Sequence, residues 1–350
     1  MTEKRRHGPG AQRRAPGPGR PDTTAAAEAF EELRPLLFAI AYRMLGSVTE
    51  AEDIVQEAFL RYHRAVSAAD ADGPARPESP KAYLSAVTTR LCIDHARSAR
   101  VRRETYVGQW LPEPVLTDLA TPGAGSWVET DPARLAEQSD TMSMAFLLLL
   151  ERLSPVERAV FLLHDVFTYG YDEVAEIVGR SEDACRQLGY RARKHVSAGR
   201  RRFDASHRKS TELAERFFAA MAAGDLDGLV SMLAADAVVV GDAGQTKPAW
   251  PRPIVGRDKV ARLFTALGTQ LDQVGGTIQL TGVNGQPGAL FLAADGSLIN
   301  VMVLEIADGA VVGVRSVINR DKLKHLGPLA DLPELLEQSR GADPGGSTLR

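Results

Sequence analysis

Apolar positions in the first 200 residues recur every three or four positions, which is the spacing of one helix face. Two early segments show it most clearly, with the apolar stripes Leu33, Leu37, Ile40 and Met44, and then Ile54, Ala58 and Tyr62. Thr49 and Glu52 predict a capping box near the start of the second helix. Ser79 followed by Pro80 predicts the start of a third, long helix. The N-terminal part is therefore predicted to be helical.

The pattern changes after about residue 210. Two helical segments lead into a strand-like run at 237–244, and a further helix is predicted at 259–267. Short alternating runs follow at 277–283, 289–293, 298–306 and 311–318, separated by Gly, Asn and Asp. Helices followed by such runs predict an α+β domain, with an antiparallel meander that curls into a cone.

Residues 154–202 have the pattern of a helix-turn-helix. Ser154, Pro155 and Glu157 form a helix-start signature, because Ser caps, Pro fits the first position and Glu completes a capping box. A short helix is predicted to stop at Gly179, and Ser181 is predicted to cap a longer one. The core face of the longer helix is predicted to be Ala184, Leu188, Ala192 and Val196. Its opposite face is basic and suits the DNA major groove, although a solvated charged helix remains the alternative.

Positive charge is concentrated in three segments of a chain whose net charge is −3. Residues 90–103 carry five arginines against one aspartate, and residues 180–202 carry eight Lys and Arg against two acids. The first 22 residues carry six Lys and Arg against two acids. Focused positive patches favour phosphate contact and steer association with DNA.

Composition narrows the class of protein further. A length of 350 residues with 44% hydrophobic content predicts two or three domains. No apolar run approaches the roughly 20 residues that span a bilayer, so no membrane contact is predicted. Cys92 and Cys185 lie in predicted helices of different domains, which favours a reduced, cytoplasmic setting. The histidines form no pair at helical spacing and no cluster with cysteine, so neither a metal nor a cofactor is predicted.

Several of these segments resemble a known family. AEDIVQEAFLRYHRA at 51–65, RLCIDHARSARVRR at 90–103 and the helix-turn-helix resemble extracytoplasmic-function sigma factors of the sigma-70 family. The residues after about 208 resemble a SnoaL-like domain. WLPEPV at 110–115 is similar to a motif of the sigma-factor subgroup with that extension. Residues 319–322 resemble its Asn-Pro-Asp-Lys signature, with Arg320 in place of proline, and 242–247 loosely follow its Asp-Gly-rich-Lys loop.

The resemblance implies two all-α sigma domains followed by an α+β, cone-shaped SnoaL-like domain. The expected boundaries are a disordered basic tail at 1–24, a region 2-like helical domain at 25–104, a linker with WLPEPV at 105–136, a region 4-like helix-turn-helix domain at 137–203, the SnoaL-like domain at 208–327 and a C-terminal tail at 328–350. It also implies a subunit that binds core RNA polymerase and directs it to promoter DNA.

The resemblance assigns residues to both partners. Core polymerase is expected to contact Asp53, Gln56, Glu57 and Leu60. The minus-ten element is expected to contact Arg90, Arg97, Arg100, Arg102 and Arg103, although Arg90 could instead pair internally with Asp94. The minus-thirty-five element is expected to contact Arg186, Gln187, Tyr190, Arg191, Arg193 and Lys194. The first two of this last group are early enough to read bases, whereas Arg191, Arg193 and Lys194 suit phosphates.

The C-terminal domain raises an enzyme hypothesis. Its candidate acid or base groups are Asp236, Asp242, Asp258 and His325. Each has a structural explanation at a helix or strand end, so we expect no enzyme, although the cone could take a small-molecule ligand. We expect the domain to dock on the sigma domains and to tune polymerase engagement. The residues expected to make this contact are Trp110, Leu111, Pro112, Asn319, Asp321 and Lys322.

One alternative is a stand-alone helix-turn-helix transcription regulator with a ligand-binding or vestigially enzymatic C-terminal domain. The polymerase-contact pattern around Asp53 argues against it, because a repressor needs no such face.

Overall fold

A computed structural model describes residues 23–68, 77–104, 106, 108–117, 141–199, 207–244 and 252–341. Most of the predicted basic tail and of the interdomain linker lies outside these ranges, as do the side chains of Arg100, Arg102 and Arg103; Thr23 and Thr24, predicted as tail, begin the first helix. Among the helices described, none is both long and apolar enough to cross a bilayer.

Three long helices form the first helical group, namely α1 Thr23–Leu45, α2 Val48–Ala68 and α3 Pro80–Glu104. α1 ends at Gly46, whose φ of +67° is the left-handed conformation that glycine adopts without strain. Ser47 then starts α2, because its Oγ accepts a hydrogen bond from the Glu50 N–H at 3.1 Å. The predicted capping box of Thr49 and Glu52 is therefore wrong, since the helix begins earlier and Ser47 takes the capping position.

The second helical group contains the helix-turn-helix. Its elements are α4 Met144–Leu150, α5 Pro155–Phe161, a π-helical turn Leu162–Val166, α6 Tyr171–Val178 and α7 Glu182–Gly199. The predicted capping box is confirmed, because the Ser154 N–H donates to Glu157 Oε2 at 3.1 Å and the Glu157 N–H donates to Ser154 Oγ. Gly179 ends α6 with φ +66°, and Ser181 Oγ caps α7 through the Ala184 N–H.

The two helical groups share one apolar core. Buried residues of α1, α2 and α3 belong to the same cluster as those of α5, α6 and α7. Polar contacts cross the same interface, where Ser85 Oγ of α3 lies 2.8 Å from the Tyr169 hydroxyl beside α6. The two predicted sigma domains therefore pack directly on one another.

The C-terminal part combines helices with a seven-stranded sheet. Its main helices are α8 His207–Ala222, α9 Leu226–Met232 and α10 Arg257–Gln273. The strands are β1 Leu116–Thr117, β2 Leu233–Asp242, β3 Ile254–Val255, β4 Thr277–Val283, β5 Gln286–Leu292, β6 Leu298–Ala307 and β7 Ala310–Val317, in the sheet order β1-β4-β5-β6-β7-β2-β3. The α+β prediction is confirmed. The sheet is mixed, however, because β2 pairs in parallel with β7, and β1 comes from the linker.

The two faces of this sheet pack against different parts of the chain, because successive side chains along a strand point to opposite faces. Met302 and Leu304 of β6 join the cluster that contains Phe217 of α8 and Phe264 of α10. Val301 and Val303 point to the other face and pack in a cluster with Leu111 of the linker and Met144 of α4. The chain closes with α11 Arg320–Leu323, a 3-10 turn Lys324–Leu326 and α12 Leu332–Gly341, a helix within the segment predicted as a tail.

Candidate functional site

The buried carboxylate of Asp242, at the end of β2, is the centre of a polar cluster between the linker and the C-terminal domain. Its side chain is inaccessible to solvent. Oδ1 accepts hydrogen bonds from the Tyr106 hydroxyl at 2.5 Å and the Gly244 N–H at 3.0 Å. Oδ2 accepts from Lys322 Nζ at 2.7 Å and the Leu111 N–H at 2.8 Å. Four donors thus compensate for the lost hydration of a buried charge.

Lys322 of α11 joins the linker to this carboxylate. Its ammonium group also donates to the Leu111 carbonyl, and it lies 4.4 Å from the ring centroid of Trp110 and 5.2 Å from that of Tyr106. An ammonium at these distances is attracted to the faces of the aromatic rings. Burial and the hydrogen bond to Asp242 raise the pKa of Tyr106, so its hydroxyl keeps the proton that it donates.

Asn319 completes the cluster. Its Oδ1 accepts the Asp321 N–H at 3.0 Å and so caps α11, while its Nδ2 donates to the Tyr106 hydroxyl at 2.9 Å. Position 244 favours glycine, because φ is +71° and a Cβ there would lie 2.8 Å from Asn319 Cγ and displace that side chain.

Four of the residues predicted for the interdomain contact therefore meet around Asp242, namely Trp110, Leu111, Asn319 and Lys322. Pro112 is buried close to Gly46. Asp321 does not enter the cluster, since its side chain is 81% exposed and pairs with Lys324. Arg320, which replaces proline in the signature, is exposed at the first position of α11. Lys247 lies outside the described residues.

Glu113, the acidic residue of WLPEPV, contacts the first helical group. Its carboxylate accepts hydrogen bonds from Ser47 Oγ at 2.8 Å and from the N–H groups of Val48 at 2.8 Å and Thr49 at 3.1 Å. The negative charge therefore lies at the positive end of α2. This glutamate belongs to the WLPEPV motif but is not among the residues predicted for the interdomain contact.

Asn284, like Tyr106, is not among the residues that the sequence predicted for the interdomain contact. It forms a type I′ turn with Gly285 between β4 and β5, with φ values of +53° and +72°. Its Nδ2 donates to the Tyr42 hydroxyl at 2.6 Å and to the Met142 carbonyl at 3.0 Å. Its Oδ1 accepts the Val115 N–H at 3.0 Å. One side chain therefore contacts α1, the segment before α4, and the linker.

Comparisons with known proteins identify the family. The sigma-70 region 2 family matches residues 29–102, the sigma-70 region 4 family matches 143–196, and the SnoaL-like domain family matches 214–317. The chain is 40% identical over 305 residues to the ECF RNA polymerase sigma factor SigJ of Mycobacterium tuberculosis, covering 84% of this chain and 91% of that protein. It belongs to the extracytoplasmic-function sigma factors.

Two further similarities cover most of this sigma factor. It is 32% identical over 300 residues to the probable ECF RNA polymerase sigma factor SigI of the same organism, covering 85% of this chain and 94% of that protein. The crystal structure of SigJ aligns with a TM-score of 0.65 at 37% identity, covering 87% of this chain and all of that one. The predicted family is confirmed. The match to region 2 argues against a stand-alone regulator, and this family is not enzymatic.

The residues predicted to contact core polymerase lie on the outer side of α2 in the sigma factor. Asp53 and Gln56 are exposed, and 40% of Leu60 is accessible. Glu57 is partly exposed and pairs with Arg61 at 2.8 Å. The predicted apolar stripe of the same helix, Ile54, Ala58 and Tyr62, is buried. This surface is therefore accessible while the described domains pack on one another.

The predicted minus-ten residues within the described part have different surroundings. Arg90 donates from Nε to the Ile177 carbonyl and from Nη2 to the Glu176 carbonyl, both at 2.8 Å. It therefore binds the C-terminal end of α6. The alternative pair with Asp94 is wrong, because Asp94 pairs with the exposed Arg97 at 3.1 Å.

The recognition helix α7 presents its basic side to solvent. Arg186, Gln187, Tyr190, Arg191 and Lys194 are exposed, and Arg193 is half-buried. The Arg186 guanidinium pairs with Glu182 and lies 4.8 Å from the ring centroid of Tyr171. Arg193 Nη1 donates to Asp165 Oδ1 at 3.0 Å and to the Tyr171 hydroxyl at 3.1 Å.

The four candidate acid or base groups do not form a common site. Asp236 and Asp258 are exposed on β2 and in the first turn of α10. Asp242 is engaged by its four donors, and His325 Nε2 lies 2.8 Å from the Pro114 carbonyl. A separate cavity of about 360 Å³ lies between α8, α10 and β4, with Glu215 and Asp272 among its lining residues.

Proposed function

We propose that the SnoaL-like domain restrains this sigma factor by holding its two sigma domains in a closed arrangement. Sigma factors bind core RNA polymerase and promoter DNA. We infer that this chain does so in the cytoplasm, with α2 for polymerase, the arginines of α3 for the minus-ten element and α7 for the minus-thirty-five element. In this proposal, the domains must separate before both promoter elements are bound.

Distances support this requirement. The two promoter elements lie about 25 base pairs apart, which is roughly 85 Å along B-DNA. The Arg90 guanidinium of α3 bonds directly to the end of α6. Because packed helices lie about 8–10 Å apart, and α7 follows α6, the recognition helix is roughly 20 Å from α3. The closed arrangement is therefore too short to span a promoter.

The observation that carries the proposal is the contact set of Asn284. Its side chain bonds to Tyr42 in the region 2-like domain, to Met142 at the start of the region 4-like domain, and to Val115 in the linker. A side chain of the C-terminal domain thus bridges the parts that must move apart. Buried hydrogen bonds of this kind are costly to leave unmade, so the contact favours the closed state.

The exposure of the polymerase face suggests an order of events. In the closed state, Asp53 and Gln56 are accessible, whereas Arg90 is engaged by α6. We propose that core polymerase binds α2 first and that separation of the domains follows. Separation would release Arg90 toward the minus-ten element.

Promoter-specific transcription by purified core polymerase tests the proposal. The full chain is compared with a chain that ends at Ser206, since, among the described residues, the apolar cluster of the sigma domains extends only to Val196. We expect the shorter chain to start more transcripts per polymerase at equal binding to core. Fewer transcripts from the shorter chain would make the domain an activator and contradict restraint. Silence of both chains on a diverse promoter pool, without binding to core, would contradict the assigned polymerase and promoter contacts.

A further inference from the structure

The linker segment 110–117 lies on the sheet face opposite the helices of the C-terminal domain, in the manner of a bound peptide. The Leu111 side chain is fully buried there. Its cluster includes Met144 of α4, Leu323 of α11 and apolar side chains from four strands, namely Val240, Val283, Val301, Val303 and Val317. The sheet thus supplies an apolar pocket for a branched side chain.

The backbone of the same segment is recognised as closely as its side chain. The Leu111 N–H donates to Asp242 and its carbonyl accepts from Lys322. The Val115 N–H donates to Asn284 Oδ1 at 3.0 Å, and its carbonyl accepts the Asn284 N–H at 2.8 Å. His325 Nε2 donates to the Pro114 carbonyl, so this nitrogen carries a proton.

The end of the segment adds a strand to the sheet. Leu116 and Thr117 form β1 and pair antiparallel with Val283 and Gly282 of β4. Addition of a strand to a sheet edge, combined with a pocket for a side chain, is a recurring mode of peptide recognition.

Different residues of the linker segment contact different domains. Glu113 is turned to α2, where its carboxylate bonds to Ser47, Val48 and Thr49. Leu111, Pro114 and Val115 bond to the C-terminal domain instead. The C-terminal domain therefore recognises the segment without its charged side chain.

We propose that the outer sheet face of the SnoaL-like domain is a peptide-binding site whose resident ligand is residues 110–117. It accepts in trans an extended peptide with an aromatic-Leu-Pro sequence, whose charge it does not read, and this peptide displaces the linker. Only the consequence for transcription rests on the proposed function above, because binding itself requires no polymerase. The tethered segment has an effective concentration in the millimolar range. A peptide in trans therefore competes only when the contact of the segment with the sheet is weakened or when the peptide is abundant.

The test uses a fluorescent peptide of the sequence Trp-Leu-Pro-Glu-Pro-Val-Leu-Thr and the full chain with Leu111→Ala. Anisotropy should show saturable binding at least about ten-fold tighter than to the wild-type chain. A peptide with Asp in place of its first Leu, which corresponds to Leu111, should bind about ten-fold more weakly. Gln in place of Glu should change the affinity by less than about two-fold. Lys322→Met in the Leu111→Ala chain should weaken binding by about ten-fold. Absence of saturation, or equal binding of the Asp peptide, would overturn the proposal.

A second measurement covers the case in which Leu111→Ala does not fold. Hydrogen exchange of the wild-type chain is followed with and without about 1 mM peptide, near the effective concentration of the tether. Faster exchange of the Leu111 and Val115 amides with the peptide supports displacement, and unchanged exchange contradicts it. Binding without an effect on transcription would contradict restraint but keep the site. Higher activity of the chain ending at Ser206, without peptide binding, would keep restraint and remove the site.

Discussion

Lys322 and Asp242 form an ion pair of 2.7 Å that is closed to solvent on the carboxylate side and 10% exposed on the ammonium side. The two residues are 80 positions apart and belong to the same domain, yet both also bond to Leu111 of the linker. The pair therefore serves as a receptor for the linker backbone, with one acceptor for the N–H and one donor for the carbonyl of a single residue, Leu111. The segments around 110, 242 and 319 therefore meet at one site.

Replacing Lys322 with Met tests the energetic role of this pair. The change leaves a buried carboxylate with three donors and no counter-charge, and breaking a buried pair costs about 3–5 kcal/mol. We expect a lower free energy of unfolding in urea, measured by circular dichroism. Lys324→Met is the control, since Lys324 is 70% exposed and an exposed pair contributes little. Equal losses in both variants would contradict the role assigned to Lys322.

Replacing Asn284 with Gly tests the bridge between domains. Glycine keeps the backbone at φ +53°, so only the side-chain hydrogen bonds to Tyr42, Met142 and Val115 are lost. We expect the free energy of unfolding to fall by about 2–4 kcal/mol, because the closed state loses these hydrogen bonds. We also expect a larger radius of gyration by small-angle scattering.

The control for this change is Asp308→Gly, in a turn with the same backbone pattern. Asp308 has φ +51°, precedes Gly309 at φ +71°, and is exposed in the β6–β7 turn. Its replacement should leave the radius of gyration unchanged. If Asn284→Gly also leaves it unchanged, the side chain does not hold the domains together.

Gly46→Ala tests how closely the linker approaches α1. A Cβ at this position would lie 2.7 Å from Trp110 Cη2, in addition to the strain of a φ of +67°. Gly179→Ala has nearly the same φ, +66°, and nothing within 4 Å of its Cβ, so it isolates the strain. We expect the Gly46 variant to be less stable than the Gly179 variant by at least about 1 kcal/mol, with altered tryptophan fluorescence. Equal stabilities would contradict a tight contact.

Features that depend on neighbouring residues were predictable from the sequence. The Ser154–Glu157 capping box and the stop at Gly179 involve groups within one helical turn, so local spacing is sufficient. The same locality explains one error, because Ser47 and Thr49 are both good caps and only the packed helix shows which one begins α2.

The family resemblance pointed to a contact between residues 110–112 and 319–322, and Leu111 and Lys322 do meet. The contacts of Glu113 and Asn284 with the helical groups left no such signal. Ser47 and Glu113 are 66 positions apart, and Tyr42 and Asn284 are 242 apart. Asn284 followed by glycine indicates a turn and nothing about the surface that the turn contacts. Arg90 lies in a basic segment typical of DNA contact, but its partners are carbonyl groups of another domain. The position of each domain on the others therefore had to come from the structure.

The recognition helix gives a prediction about promoter choice. Arg186 lies in the first turns of α7, where a side chain reaches base edges, whereas Lys194 lies two turns later and suits the DNA backbone. Arg186→Ala should cost about 1–3 kcal/mol on the matched promoter and reduce the preference for it. Lys194→Ala should weaken binding to matched and scrambled DNA alike and reduce the salt slope by about one. Anisotropy titrations of the full chain at several salt concentrations measure both effects. Identical losses on both DNA sequences for Arg186→Ala and Lys194→Ala would contradict this division of roles.

The pair between Arg186 and Glu182 in the chain without DNA gives a related expectation. Glu182→Gln should ease the release of Arg186 and strengthen binding to the matched site, because it removes the charge that holds the guanidinium.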